Sequence, residues 1–209
     1  GMAAEFAALQ AVSQRTPGYP TVQLGFPYVD TLKLQQKLGH GGILLHHLQN
    51  IDQELSALLS RQPAAACFCE IPGNPLLGSA DVRRISPILR EQCVPLVVDD
   101  VVATPANVDL SGHADLVATS LTKYIAGTCD VMGGALICNP RSPLHTELRA
   151  IAHLEKRILG GQQPHLAGAL EYVLSHSGVW CATGSEIIAW YRQQTAAPPI
   201  HATATRNTA

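Results

Sequence analysis

Short apolar runs alternate along the chain with helical patterns, and that alternation leaves few folds open. Val22 to Phe26, Ala64 to Ile71, Pro95 to Asp99, Asp115 to Ser120 and Gly134 to Asn139 read as buried strands. Met2 to Arg15, Leu32 to Leu38, Ile51 to about Arg61, Asp81 to Gln92, Ser142 to Leu159 and His165 to Leu174 read as helices. Met2, Phe6, Leu9 and Val12 share one face of the first; Gly39 closes the second, Asn50 caps the third, and Pro87 lies inside the fourth. Strands and amphipathic helices at this spacing predict an α/β domain, a mostly parallel sheet with helices on both faces. Ligands of such sheets gather beyond the carboxyl ends of the strands. Glu70, Asn74, Asp99, Asp100, Ser120, Thr122 and Lys123 all fall at those ends.

With 209 residues the chain is long enough to bury a sizeable core. Fourteen basic against sixteen acidic residues leave a formal charge of −2, so there is no basic excess to neutralise phosphates and no nucleic-acid partner is expected. The apolar stretches, such as Ile43 to Leu45 and Pro95 to Val98, fall far short of the ~20 residues that span a bilayer. No secretory signal opens the chain, and a cytoplasmic location without membrane attachment is expected. The six cysteines are scattered through apolar segments and read as reduced, buried thiols. No metal site is expected: Cys67-Phe68-Cys69 has no partner pair, and His46, His47, His113 and His153 do not group at ligand spacing.

Four lysines occur, Lys33, Lys37, Lys123 and Lys156, and three lie in helical patterns. Lys123 instead follows an apolar strand, among Ser120, Thr122 and Gly127, with no acidic neighbour in sequence. A lysine desolvated in such a place becomes a usable amine for a Schiff base with a carbonyl; an exposed loop lysine is the plainer alternative.

The run Ala114-Asp115-Leu116-Val117, then Ser120-Leu121-Thr122-Lys123-Tyr124, Gly127 and Asp130-Val131-Met132-Gly133-Gly134, resembles the cofactor-lysine motif of the pyridoxal-phosphate enzymes of cysteine and methionine metabolism. The resemblance makes Lys123 the Schiff-base lysine and the hydroxyls of Ser120 and Thr122 donors to the cofactor phosphate. Val97-Val98-Asp99-Asp100-Val101-Val102-Ala103-Thr104-Pro105 is similar to the family's V-V-D-N-T-x-x-T-P run. It makes Asp99 the anion facing the pyridine nitrogen, where a negative charge keeps the ring an electron sink. Glu70-Ile71-Pro72-Gly73-Asn74-Pro75-Leu76 resembles the E-x-P-x-N-P-L loop, whose asparagine contacts the ring hydroxyl, here Asn74. Tyr28 occupies the place of the family tyrosine that stacks on the ring and assists proton transfer, although Val29 and Asp30 replace two glycines. Gly1-Met2-Ala3-Ala4 resembles the S-G-M-A-A segment, so the backbone of Gly1 and Met2 would grip the phosphate at a helix N-terminus.

The resemblance covers residues 1 to 161. Phe26 to Thr31 and Ala152 to Gly161 look like the fungal cystathionine γ-synthase branch. It implies the large cofactor-binding domain of an aspartate-aminotransferase-like enzyme, truncated at both ends. The domain is expected over 1–161, a helical connection to a further domain over 162–180, and a poorly ordered or unrelated tail over 181–209. The implied function is γ-replacement of an O-acylhomoserine by cysteine, with pyridoxal 5'-phosphate as cofactor and a homodimer or tetramer as the assembly of full-length members. Cystathionine lyases and homoserine sulfhydrylases share these residues. A non-catalytic remnant acting as an interaction domain is the alternative from another class.

Overall fold

A computed structural model describes residues 1–127 and 132–158, the latter without side chains over 153–158. Six strands form one sheet: β1 (Thr21–Leu24), β2 (Gly42–Leu45), β3 (Cys67–Glu70), β4 (Leu96–Asp99), β5 (Leu116–Ser120) and β6 (Gly134–Cys138). Their order is β2-β1-β3-β4-β5-β6. All neighbours are parallel except β5 and β6, which run antiparallel, so the mostly parallel α/β sheet expected from the sequence is present.

The period of two along each strand sorts the core into two halves. Val22, Leu24, Cys67, Cys69, Leu96 and Val98 pack on one face with α3 (Ile51–Leu59) and α4 (Val82–Glu91), through Ile51, Leu55, Ile85 and Leu89. Phe68, Val97 and Leu116 pack on the other with α1 (Met2–Arg15) and α6 (His145–Ile158), through Ala8, Leu9, Val12 and Leu148. On this second face α2 (Val29–Leu38) sends Gln35 to the buried Gln23, donating to its Oε1 at 2.7 Å. A further short helix, α5 (Thr104–Asn107), follows β4.

Several local expectations change. Strand β2 was not expected: it is four half-buried residues at the sheet edge, made a strand by pairing with β1 rather than by its own pattern. Asn50 stands at the N-cap of α3, but its side chain makes no capping bond, whereas Asp81 caps α4 by accepting from the Arg83 N–H at 3.1 Å. The buried side of α1 carries Ala4, Glu5, Ala8, Leu9, Ala11 and Val12; Met2 and Phe6 are only half-buried. Of the described cysteines Cys67 and Cys69 are buried, but Cys93 is exposed and Cys138 half-buried. The helix expected over His165 to Leu174 and the boundaries at 162–180 and 181–209 lie outside the described residues.

Candidate active site

The same parity that sorts the core decides which polar side chains share the site. Glu70 follows the register of Phe68, Asp99 that of Val97, and Ser120 that of Leu116, so all three point to the α1 face at the carboxyl ends of neighbouring strands. Asp100 and Thr119 fall on the opposite face, both buried. Glu70 is directly paired with Asp99, and Asp99 with Ala118.

Helix α1 starts over this edge. Its N-cap Gly1 accepts at its carbonyl from the N–H groups of Ala4 (2.8 Å) and Glu5 (3.2 Å), and the Gly1 nitrogen donates to the Gly133 carbonyl at 2.9 Å. A Cβ on Gly1 would stand 3.2 Å from Ser120 Oγ, so the missing side chain lets the helix end approach the end of β5. The amide N–H groups of the first turn, including Met2, have no intrahelical acceptor and carry the positive end of the dipole.

Beyond Ser120 the chain turns through Leu121–Ile125, with non-helical backbone at Lys123. The Thr122 hydroxyl donates to the Gly133 carbonyl (3.2 Å) and accepts from the Gly133 N–H (3.0 Å). It therefore ties the turn to the start of β6, a role the sequence did not suggest beside the expected phosphate contact. Lys123 is exposed rather than desolvated. Tyr28, half exposed, is the N-cap of α2, and Asn74 is exposed in the loop after β3. Both loops are tied to one carboxylate: Glu70 accepts from the backbone N–H of Tyr28 and from that of Asn74.

The electrostatics centre on Asp99. Its carboxylate accepts from the Val101 N–H at 2.8 Å, and Glu5, in the first turn of α1, is near enough for the two charges to act on each other. Burial raises the pKa of Asp99, and the Val101 N–H opposes the rise. Burial raises Glu70 in the same way, against the Tyr28 N–H. Glu5 is pushed well above the ordinary range, first by burial and then by the charges of Asp99 and Glu70. On the other face burial, opposed by the Thr119 hydroxyl, pushes Asp100 up to about 6. Beneath the cluster, burial lifts the Cys69 thiol to about 12 and leaves it inert.

Glu5 is the member that sequence reasoning missed. The signal was present: Glu5, Leu9 and Val12 stand at i, i+4 and i+7, the spacing of a single buried stripe. Among the described residues, no three His, Cys, Asp or Glu side chains group as metal ligands, and no helix is long and apolar enough to cross a membrane.

The donor set suits a ligand with an anion at one end and a basic nitrogen at the other. Gly1, Met2 and Ser120 offer the anion site, Asp99 the partner for the nitrogen, and Lys123 an amine at the rim. Residues 1–175 match the family described as Cys/Met metabolism PLP-dependent enzyme. The chain is 41% identical over 158 residues to a cystathionine gamma-synthase of Neurospora crassa, covering 72% of this chain and 25% of that protein. It is 40% identical over 157 residues to an alanine racemase of Aspergillus violaceofuscus, covering 71% of this chain and 26% of that one. Among solved structures, a putative O-acetylhomoserine (thiol)-lyase from Campylobacter jejuni superposes with a TM-score of 0.59 at 26% identity, over 72% of this chain and 36% of that one. That structure carries a pyridoxyl-lysine phosphate. The chain thus spans about a quarter of the length of these curated relatives.

Proposed function

The chain belongs to the pyridoxal-phosphate-dependent enzymes of cysteine and methionine metabolism, and we propose that it supplies the cofactor-holding part of a cystathionine γ-synthase-like active site. One observation supports this reading: the N-terminus of α1, Ser120 and Asp99 meet at the carboxyl ends of β4 and β5, and Lys123 lies in the turn that follows β5.

In this reading the first-turn amides of α1, at Gly1 and Met2, and the Ser120 hydroxyl bind the phosphate, and Thr122 keeps the turn beside it in shape through Gly133. Asp99 faces the pyridine nitrogen, Asn74 the ring hydroxyl, and Tyr28 the ring face. When bound, pyridoxal phosphate supplies a sink for the electron pair left at the substrate α-carbon. Lys123 would hold the cofactor through its amine and, once displaced by the substrate amine, would take protons from Cα and Cβ as the γ-substituent leaves, and return them at both carbons after the thiolate has added at Cγ. Tyr28 assists these transfers from the rim. The substrates are an O-acylhomoserine and cysteine, whose thiolate forms the Cγ–S bond as the Cγ–O bond breaks and the acyloxy group leaves as a carboxylate. The choice of γ-replacement is supported by the fungal synthase at 41% identity. The same residues serve lyase and sulfhydrylase chemistry, and the reading extends to a cytoplasmic homo-oligomer.

The test is reduction of the purified chain with borohydride in the presence of pyridoxal phosphate, followed by peptide mapping and by assay with O-acylhomoserine and cysteine. The label is expected on Lys123. A label on Lys33, Lys37 or Lys156, or no retained cofactor, would overturn the assignment. Racemisation of alanine exceeding γ-replacement would keep the cofactor and reject the reaction.

A further inference from the structure

One buried carboxyl group has no part in the proposed chemistry, yet it stands where the loops carrying Tyr28 and Asn74 meet. Glu70 ends β3, the strand between β1 and β4, with 7% of its surface exposed. Its Oε1 accepts from the backbone N–H of Tyr28, 42 positions earlier in the chain. Its Oε2 lies toward the other loop: a Cβ on Gly73, the residue before Asn74, would stand 3.9 Å from it. The same Cβ would be 3.2 Å from the Phe26 carbonyl oxygen and 3.2 Å from that of Gly78. The loop after β1 and the loop after β3 therefore touch backbone against backbone beside this carboxyl group.

We propose that Glu70 is a positioning residue: by holding the Tyr28 amide it fixes the start of α2 against the end of β3, and so keeps Tyr28 in step with the Asn74 loop. The inference rests on the reading of Tyr28 and Asn74 as the residues at the cofactor's ring face and ring hydroxyl.

The local structure shows why the tie is needed. Tyr28 is the N-cap of α2, and its own side chain makes no capping bond. Its carbonyl accepts from the Thr31 N–H at 3.0 Å and so begins the helix, while Pro27 before it has no N–H to anchor the approach. The Asn74 loop, by contrast, closes on itself. Gly73 donates to the Gly78 carbonyl at 2.9 Å and accepts from the Leu77 N–H at 2.7 Å, and the Ile71 N–H ties the start of that loop to the Asp99 carbonyl at 2.9 Å. Glu70 thus joins a segment with little anchorage of its own to one that is already fixed.

The experiment measures amide hydrogen exchange in the 209-residue chain without added cofactor. The wild-type Tyr28 amide should exchange slowly. Glu70→Met removes the acceptor at similar volume and should speed exchange at Tyr28 about tenfold or more relative to the amides of β4, whereas Glu70→Gln keeps an acceptor and should stay within about threefold of wild type. Titration with pyridoxal phosphate then reads the consequence for the site. Glu70→Met should weaken binding in the wild-type background but add little in a Tyr28→Ala background, because the carboxyl group acts through Tyr28. Fast exchange at Tyr28 in the wild type, or equal exchange in the Met and Gln variants, would overturn the proposal. So would faster exchange spread evenly over β4, or the same loss of affinity with and without the Tyr28 side chain, since either would leave Glu70 a general support of the fold. Borohydride labelling of Lys123 tests the cofactor reading separately: no label alongside the exchange pattern just described would reject that reading and leave the Glu70–Tyr28 tie standing.

Discussion

A Cβ placed on Gly134 would stand 3.0 Å from the nitrogen of Gly1 and 3.2 Å from its carbonyl oxygen, so the two glycines pack backbone against backbone. This contact seats the start of α1 on the start of β6 and, through Gly1, against Ser120. The anion site is built on that approach.

Gly134→Ala should therefore move the helix end outward. The new methyl group also meets the Ala4 Cβ at 3.2 Å, and neither neighbour is the flexible end of a side chain. Overpacking of this kind costs about 1–3 kcal/mol. Denaturant unfolding should register that loss, together with weaker retention of pyridoxal phosphate. Gly112→Ala, where a Cβ meets nothing within 4 Å, should stay within about 0.5 kcal/mol of wild type.

Asp99→Asn should impair cofactor retention far more than Asp100→Asn. The two carboxylates lie on opposite faces of the strand end, Asp99 toward Glu5 and Asp100 toward Thr119. A neutral amide at Asp99 cannot hold a pyridine nitrogen protonated. Absorbance titration with pyridoxal phosphate measures both variants, and equal losses would mean that Asp100 also faces the ligand.

Asp100→Asn should instead change the pH dependence of stability. Folding raises the Asp100 pKa from 3.8 to about 6, so the folded chain holds a proton that the unfolded chain releases. Stability from that proton is complete below the unfolded value and lost as the pH rises through about 6. Because asparagine does not ionise, the variant should gain on the wild type between pH 4 and 7.5, by up to about 3 kcal/mol. Unfolding midpoints across that range give the slope of the difference, and a flat difference would reject the burial assigned to Asp100.

Asp115→Ala should destabilise the fold rather than strike the chemistry directly. Asp115 is buried at the start of β5, where it accepts from the Leu96 N–H at 2.7 Å and from the Ser142 hydroxyl. It thereby joins β4, β5 and the segment leading to α6. Leaving those donors unpaired costs about 1–3 kcal/mol each. Chemical denaturation should show the loss, while the Lys123 label under borohydride survives wherever the chain remains folded.

The strand and helix order could be read from the chain because each depends on local periodicity. Val97 and Val98 must be buried on both faces of a parallel sheet, and the same alternation that places them separates Asp99 from Asp100 one step later. The linear runs around Lys123, Asp99, Asn74 and Tyr28 likewise carried the family resemblance without reference to space. Three features needed the tertiary structure. Strand β2 exists through its pairing with β1, since four half-buried residues carry too little pattern of their own. Thr122 bonds Gly133 because the chain returns there after the turn, a closure that the sequence spacing alone does not fix. Glu5 lies beside Asp99 because α1 packs on the sheet through Ala8, Leu9 and Val12, and the rotation of a helix about its axis is set by the surface it docks against. Periodicity says which residues share a stripe; only docking decides what that stripe faces.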